Sequence, residues 1–125
     1  MTQAHAHELQ SCAALLARLR PLFEQATQAL AMACTRDGKF SGRLFDERQV
    51  ASFELAWVSA DLLAAETSMQ GLRADSSALE TQLALLFAVE AMGAVLPRLD
   101  ALFLELDLDL APLQAFAAGA GWAVL

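Results

Sequence analysis

The chain has 125 residues, 57% of them hydrophobic and 18% charged, with a formal net charge of −7 and a pI near 4.6. Its eight Lys and Arg residues are too few and too scattered to neutralise a row of phosphates, which argues against nucleic acid or an anionic membrane as partner. The length suits one domain, 1–125. Its apolar share exceeds the ~45–50% of average soluble domains, so part of that surface is expected to meet a protein partner or a second copy.

The opening residues, MTQAHAHELQ, have neither a basic head nor an apolar h-region, so the reading is cytoplasmic, with residues 1–6 frayed. His5 and His7 are the only histidines. In a frayed tail they are not expected to form a metal site. From about His7 to Cys34 apolar residues recur at helical spacing, through Leu9, Cys12, Leu15, Leu16 and Leu19, then Phe23, Ala26 and Leu30. Pro21 interrupts this first helix, because proline removes a donor and clashes with the carbonyl of Ala17; a kink or a restart follows. Cys12 and Cys34 on one helix would be ~33 Å apart at ~1.5 Å per residue, too far for a disulfide, and are read as reduced core thiols.

Thr35–Phe45 is polar, basic and glycine-containing. Asp37-Gly38 signals a turn, with Gly38 a candidate left-handed cap for helix one. The segment matches neither GxGxxG nor a Walker loop and is read as a solvated connection. Helix two is expected from Asp46, capped by its carboxylate with Gln49 returning the bond. Val50, Phe53, Trp57, Ala60 and Ala64 form its main apolar stripe, widened by Leu55, Val58, Leu62 and Leu63. GLRADSS breaks the chain at 71–77, and Ser77 with Glu80 forms an S-x-x-E start. Helix three then runs through Leu79, Leu83, Leu86, Phe87, Glu90, Ala91 and Val95, past Pro97 to Leu106. Asp107–Ala111 is a linker, and Pro112 opens a last helical piece before an apolar tail containing Trp122. No segment reads as membrane-spanning; the longest charge-free run, Leu110 to Leu125, falls short of ~20 residues.

The fold expected is all-α, an up-and-down bundle of four main helices, the first and third bent at proline. No H-E-x-x-H, C-x-x-C or G-x-S-x-G occurs, and no catalytic residue, metal site or cofactor site is assigned. Glu47, Glu54 and Asp61, spaced by sevens, should line one flank of helix two; successive carboxylates ~10 Å apart cannot converge as an acid–base pair, and Glu54 and Asp61 are instead expected at a polar contact. Glu90 stands alone in an apolar run, so burial would demand a partner or a raised pKa. Phe53 and Trp57 read as anchors of the bundle or of an interface.

The order of signals around helix two, a basic glycine-containing loop followed by LFDERQ and FELAWVSADLLAAE, resembles helical accessory regions of acyl-CoA dehydrogenase-type flavoproteins. The matching positions are Leu44, Gln49, Leu55, Ala56 and Trp57, and LALLFAVEAMGAVLPRLDALF with Glu90 is similar to a companion helix. The resemblance spans about residues 36–106. It implies a non-catalytic accessory or oligomerisation domain of a FAD-dependent oxidoreductase, with FAD held in the parent enzyme and not in this chain. The alternatives are a free-standing helical protein-interaction module and a binder of small acyl ligands.

Overall fold

A computed structural model describes residues 3–119. It is all-α apart from one small hairpin: α1 (Gln3–Ala33), β1 (Thr35–Arg36), β2 (Lys39–Phe40), α2 (Gly42–Glu47), α3 (Gln49–Gln70), α4 (Ala78–Glu105) and α5 (Ala111–Ala118). The three long helices pack on one another, and α5 closes against α1 and α4. Glu54 near the start of α3 meets Arg98 near the end of α4, so these two helices form an antiparallel hairpin across the 71–77 connection. Arg20 of α1 meets Glu66 of α3, and Ala13 lies beside Met69 and Gln70. Thus α1 also runs antiparallel to α3.

One hydrophobic cluster joins these helices, and its spacing explains their association. In α1, Cys12, Leu16, Leu19, Phe23, Ala26 and Leu30 alternate steps of four and three. The same alternation carries Ala51, Leu55, Val58, Leu62, Ala65 and Met69 in α3, and Leu85, Ala88, Met92, Val95, Leu99 and Leu102 in α4. Almost all of these are buried, Leu55 and Met69 partly so. A four–three repeat keeps one narrow seam of each helix facing its neighbours along the whole length. Alanines in the seam allow the backbones to approach closely.

The helix ends follow from local chemistry. Ser77 Oγ accepts from Glu80 N, and the Glu80 carboxylate accepts from Ser77 N, the reciprocal box expected of this sequence. At the other end of α4, Leu108 N donates to Phe103 O at 2.8 Å and Asp107 N to Leu104 O at 3.3 Å, with Asp107 at φ 56°. This pattern satisfies carbonyls that the helix leaves open. Asp109 Oδ1 then accepts from Ala111 N as α5 begins, and Pro112 sits in its first turn.

Several expectations are corrected. Asp46 does not open helix two: Ser41 caps the short α2 through Leu44 N, and α3 starts afresh at Gln49 after Arg48. Gly38 is left-handed, at φ 75°, but with Asp37 at φ 53° it makes a two-residue hairpin turn between paired Arg36 and Lys39, not a helix cap. Neither α1 nor α4 restarts at its proline. Both prolines are exposed, and so are Ala17 and Gly93 four residues before them, so water can reach the carbonyls that lose their donors. By length and composition α4 could cross a membrane, although its inner seam is buried among the other helices.

The largest correction concerns the faces of α3 and α4. Of the expected α3 stripe, Val50, Phe53 and Trp57 are 70%, 59% and 47% exposed, and Ala60 and Ala64 are exposed as well. In α4, Leu79, Leu83, Leu86 and Phe87 are outside. These side chains lie off the four–three seams that the helices turn toward one another. Leu62→Ala is therefore expected to lower stability by about 2–5 kcal/mol in urea unfolding. The neighbouring Leu63→Ala should cost less than about 1 kcal/mol; similar losses at both positions would contradict this orientation of α3.

Candidate functional site

The displaced apolar residues share one surface, the side of the α3–α4 hairpin turned away from α1. Near the start of α3, the Phe53 and Trp57 rings meet edge to face with centroids 6.2 Å apart. The Arg98 guanidinium lies 5.7 Å from the Trp57 ring centre, and its Nη1 donates to Glu54 Oε2 at 2.7 Å. Arg98 therefore joins the two helices with its charge while its flat face covers part of the indole. Both members of the ion pair are about one-quarter to one-third exposed, where a charge-assisted bond holds better than on the open surface.

Farther along, an open groove of about 1020 Å³ runs between the helices, floored by Ala60, Ala64 and Ala84 and flanked by Leu63, Leu83 and Phe87. Its polar lining is confined to Thr67, Ser68, Ser76 and Glu80 toward the 71–77 connection. Glu80 is already engaged in the α4 cap. Such a surface can bury apolar matter, but it presents no converging acid, base and nucleophile.

The second interhelical clasp lies elsewhere. Arg20 Nε donates to Glu66 Oε2 at 3.0 Å, and its Nη2 donates to the other carboxylate oxygen, tying α1 to α3 in a two-bond fork. The hydrogen bond with Glu66 raises the Arg20 pKa against the opposing effect of burial. Arg18 stacks 5.2 Å from the centre of Phe116, helping to hold α5. By contrast, Arg43–Glu47 within α2 is well exposed and contributes at most a few tenths of a kcal/mol.

The expected site residues separate accordingly. Glu54 does make a polar contact, an interhelical one with Arg98 of α4. Asp61 is half-buried on the same flank of α3. Glu47 does not extend that row, because Arg48 separates its short helix from α3. Glu90 is exposed: α4 turns the side containing Glu90 toward solvent, so the demand for a partner that burial would have made does not arise. Trp122 lies outside the described residues. Arg98 and the Leu83–Phe87 rim were missed as site features, and the signal available for them was the four–three seam of α4, which leaves exactly those positions outside.

Cys12 and Cys34 are both free and buried, and burial pushes the Cys12 thiol pKa up, away from nucleophilic use. Among the described residues no group of three or more His, Cys, Asp and Glu could hold a metal. Compared with known proteins, the chain matches no family model and no curated protein.

Trp57→Ala in a monomeric sample is expected to cost about 1–2 kcal/mol, the loss of a half-exposed ring and its Arg98 stack. A measured cost near 3–5 kcal/mol would instead mark the indole as core.

Proposed function

We propose that the chain is a cytoplasmic, non-catalytic helical association module that docks an apolar protein surface through the outer face of α3 and α4. The observation that carries this reading is the exposure, on one hairpin face, of Val50, Phe53, Trp57, Leu83, Leu86 and Phe87. Contiguous apolar surface of this kind is uncommon on a monomer and marks interaction sites. Charge supports a protein over a lipid headgroup layer, because the face lacks a basic rim and exposes Glu80 and Glu90. The openness of the groove supports a macromolecule over an acyl ligand, whose chain would remain partly in water.

Within this reading, α1, α3, α4 and α5 form an up-and-down bundle with bends at Pro21 and Pro97; the antiparallel contacts along α1, α3 and α4 support that arrangement. We further propose that the module is related to accessory domains of acyl-CoA dehydrogenase-like oxidoreductases, a proposal supported by the resemblance around Leu44, Gln49 and Trp57. FAD then belongs to a parent enzyme, and these residues supply packing or oligomerisation.

If the face serves docking and not folding, replacing Phe53, Leu83 and Phe87 together by Gln leaves monomer helicity intact. Urea stability should change by no more than about 1–2 kcal/mol, while binding of a dye sensitive to exposed apolar surface falls. An unfolded triple variant in circular dichroism would overturn this function.

A further inference from the structure

The docking face is divided diagonally by side-chain size. At one end α3 bears Val50, Phe53 and Trp57, while the adjacent turns of α4 bear the small Gly93, Ala94 and Ala101, with Leu104 exposed one turn beyond. The Glu54–Arg98 bridge fixes which turns are adjacent. At the other end the balance of sizes shifts: α3 bears Ala60, Ala64 and Thr67 beside an exposed Leu63, and α4 bears Leu83, Leu86 and Phe87. The shared groove lining of Ala64 and Phe87 fixes this second level.

A surface patterned in this way is complementary to itself. Turning a second copy over by an antiparallel two-fold, with the axis crossing near Ala60 on α3 and Glu90 on α4, sets the bulky end of each helix over the small end of the same helix in the other copy. Phe53 and Trp57 then lie over the Ala64 and Thr67 turns of the second copy, beside its Leu63, and Leu83 and Phe87 approach its 94–97 turn. Large residues fill small-residue gaps at both ends, as close packing requires. From the existing interaction reading, we infer that the occupant of this face is a second copy of the chain, docked as an antiparallel two-fold dimer.

Area supports this occupant. The six bulky side chains are 43–70% exposed, and with the alanines between them they offer roughly 800 Å² of apolar surface, about the share each partner contributes to a standard interface. The same two-fold sets Glu80 of one copy near the Asp100 turn of the other, whose neighbouring Arg98 is already paired with Glu54, so charge adds no net attraction. It also brings the two Glu90 carboxylates toward each other near the axis, a repulsion that limits affinity.

Sedimentation equilibrium on the full chain tests the inference. The wild type should pass from monomer to dimer within roughly micromolar concentrations. Phe87→Glu, with helicity checked by circular dichroism, should weaken the dimer by about 30-fold or more, whereas Glu90→Gln should tighten it several-fold. Ala60→Cys near the axis should form a disulfide between copies under mild oxidation; the buried native thiols provide no competing reaction. A folded wild type that stays monomeric through this range overturns the dimer, as does association indifferent to Phe87→Glu or an Ala60→Cys variant that fails to cross-link. Binding of the monomer to phosphatidylcholine vesicles would identify lipid as the occupant and overturn it as well. A negative result with the triple Gln variant still folded rejects the second copy alone; unfolding of that variant rejects the interaction reading itself.

Discussion

Close approach of α3 to its two neighbours is the constraint from which the other features follow. The fully buried part of the α3 seam begins and ends on Ala51 and Ala65, with Val58 and Leu62 between them, and it shares one buried cluster with Ala26 of α1 and Ala88 of α4. Small side chains bring helix backbones together and increase dispersion contact per turn. The rings that this cluster does hold, Phe23, Phe103 and Phe116, come from α1, α4 and α5. Phe53 and Trp57 are outside because α3 turns its seam of small and aliphatic residues inward, and the apolar outer face is a consequence of that orientation.

This division separates stability from interaction. The buried seams and the Arg20–Glu66 fork hold the three long helices together, while Arg98 bridges α3 and α4 beside Trp57 without closing the outer face. Helix ends add local definition: the Ser77–Glu80 box starts α4, and the bonds around Asp107 stop it. Substitutions on the outer face should therefore act mainly on the proposed association. The isolated carboxylate of Glu90 has a corresponding place in that account, as a charge beside a hydrophobic surface and not as an unpaired charge in a core.

The sequence made the helices legible more readily than their orientation. In α1 the apolar periodicity identified buried residues correctly from Cys12 to Leu30, because the opposite side of that helix is polar and only one face could turn inward. The Ser77 start and Pro112 were equally readable, since capping and proline geometry act within a few residues. In α3 and α4 apolar residues occupy more than one side, so helical periodicity alone gave two possible faces. Giving weight to size selected Phe53, Trp57, Leu83 and Phe87, whereas the packing selects the alanine-containing four–three seam. The Asp37-Gly38 turn was visible, but its use in a hairpin depended on pairing between Arg36 and Lys39. Glu54 was recognisable as a contact residue; its partner Arg98, 44 positions away, emerges only when the helices are brought together.

The central claim is that α3 turns its small seam inward and its large residues outward. Single cysteines introduced at positions 50, 53, 57, 60 and 64, and separately at 51, 58, 62 and 65, give the most direct readout through thiol-labelling rates. The measurement belongs under native conditions, dilute enough for the chain to sediment as a monomer. The account predicts rates within about tenfold of an unfolded peptide for the first group and protection of about a thousandfold or more for the second, since buried sites react only through opening. Protection of the first group with rapid labelling of the second would contradict it.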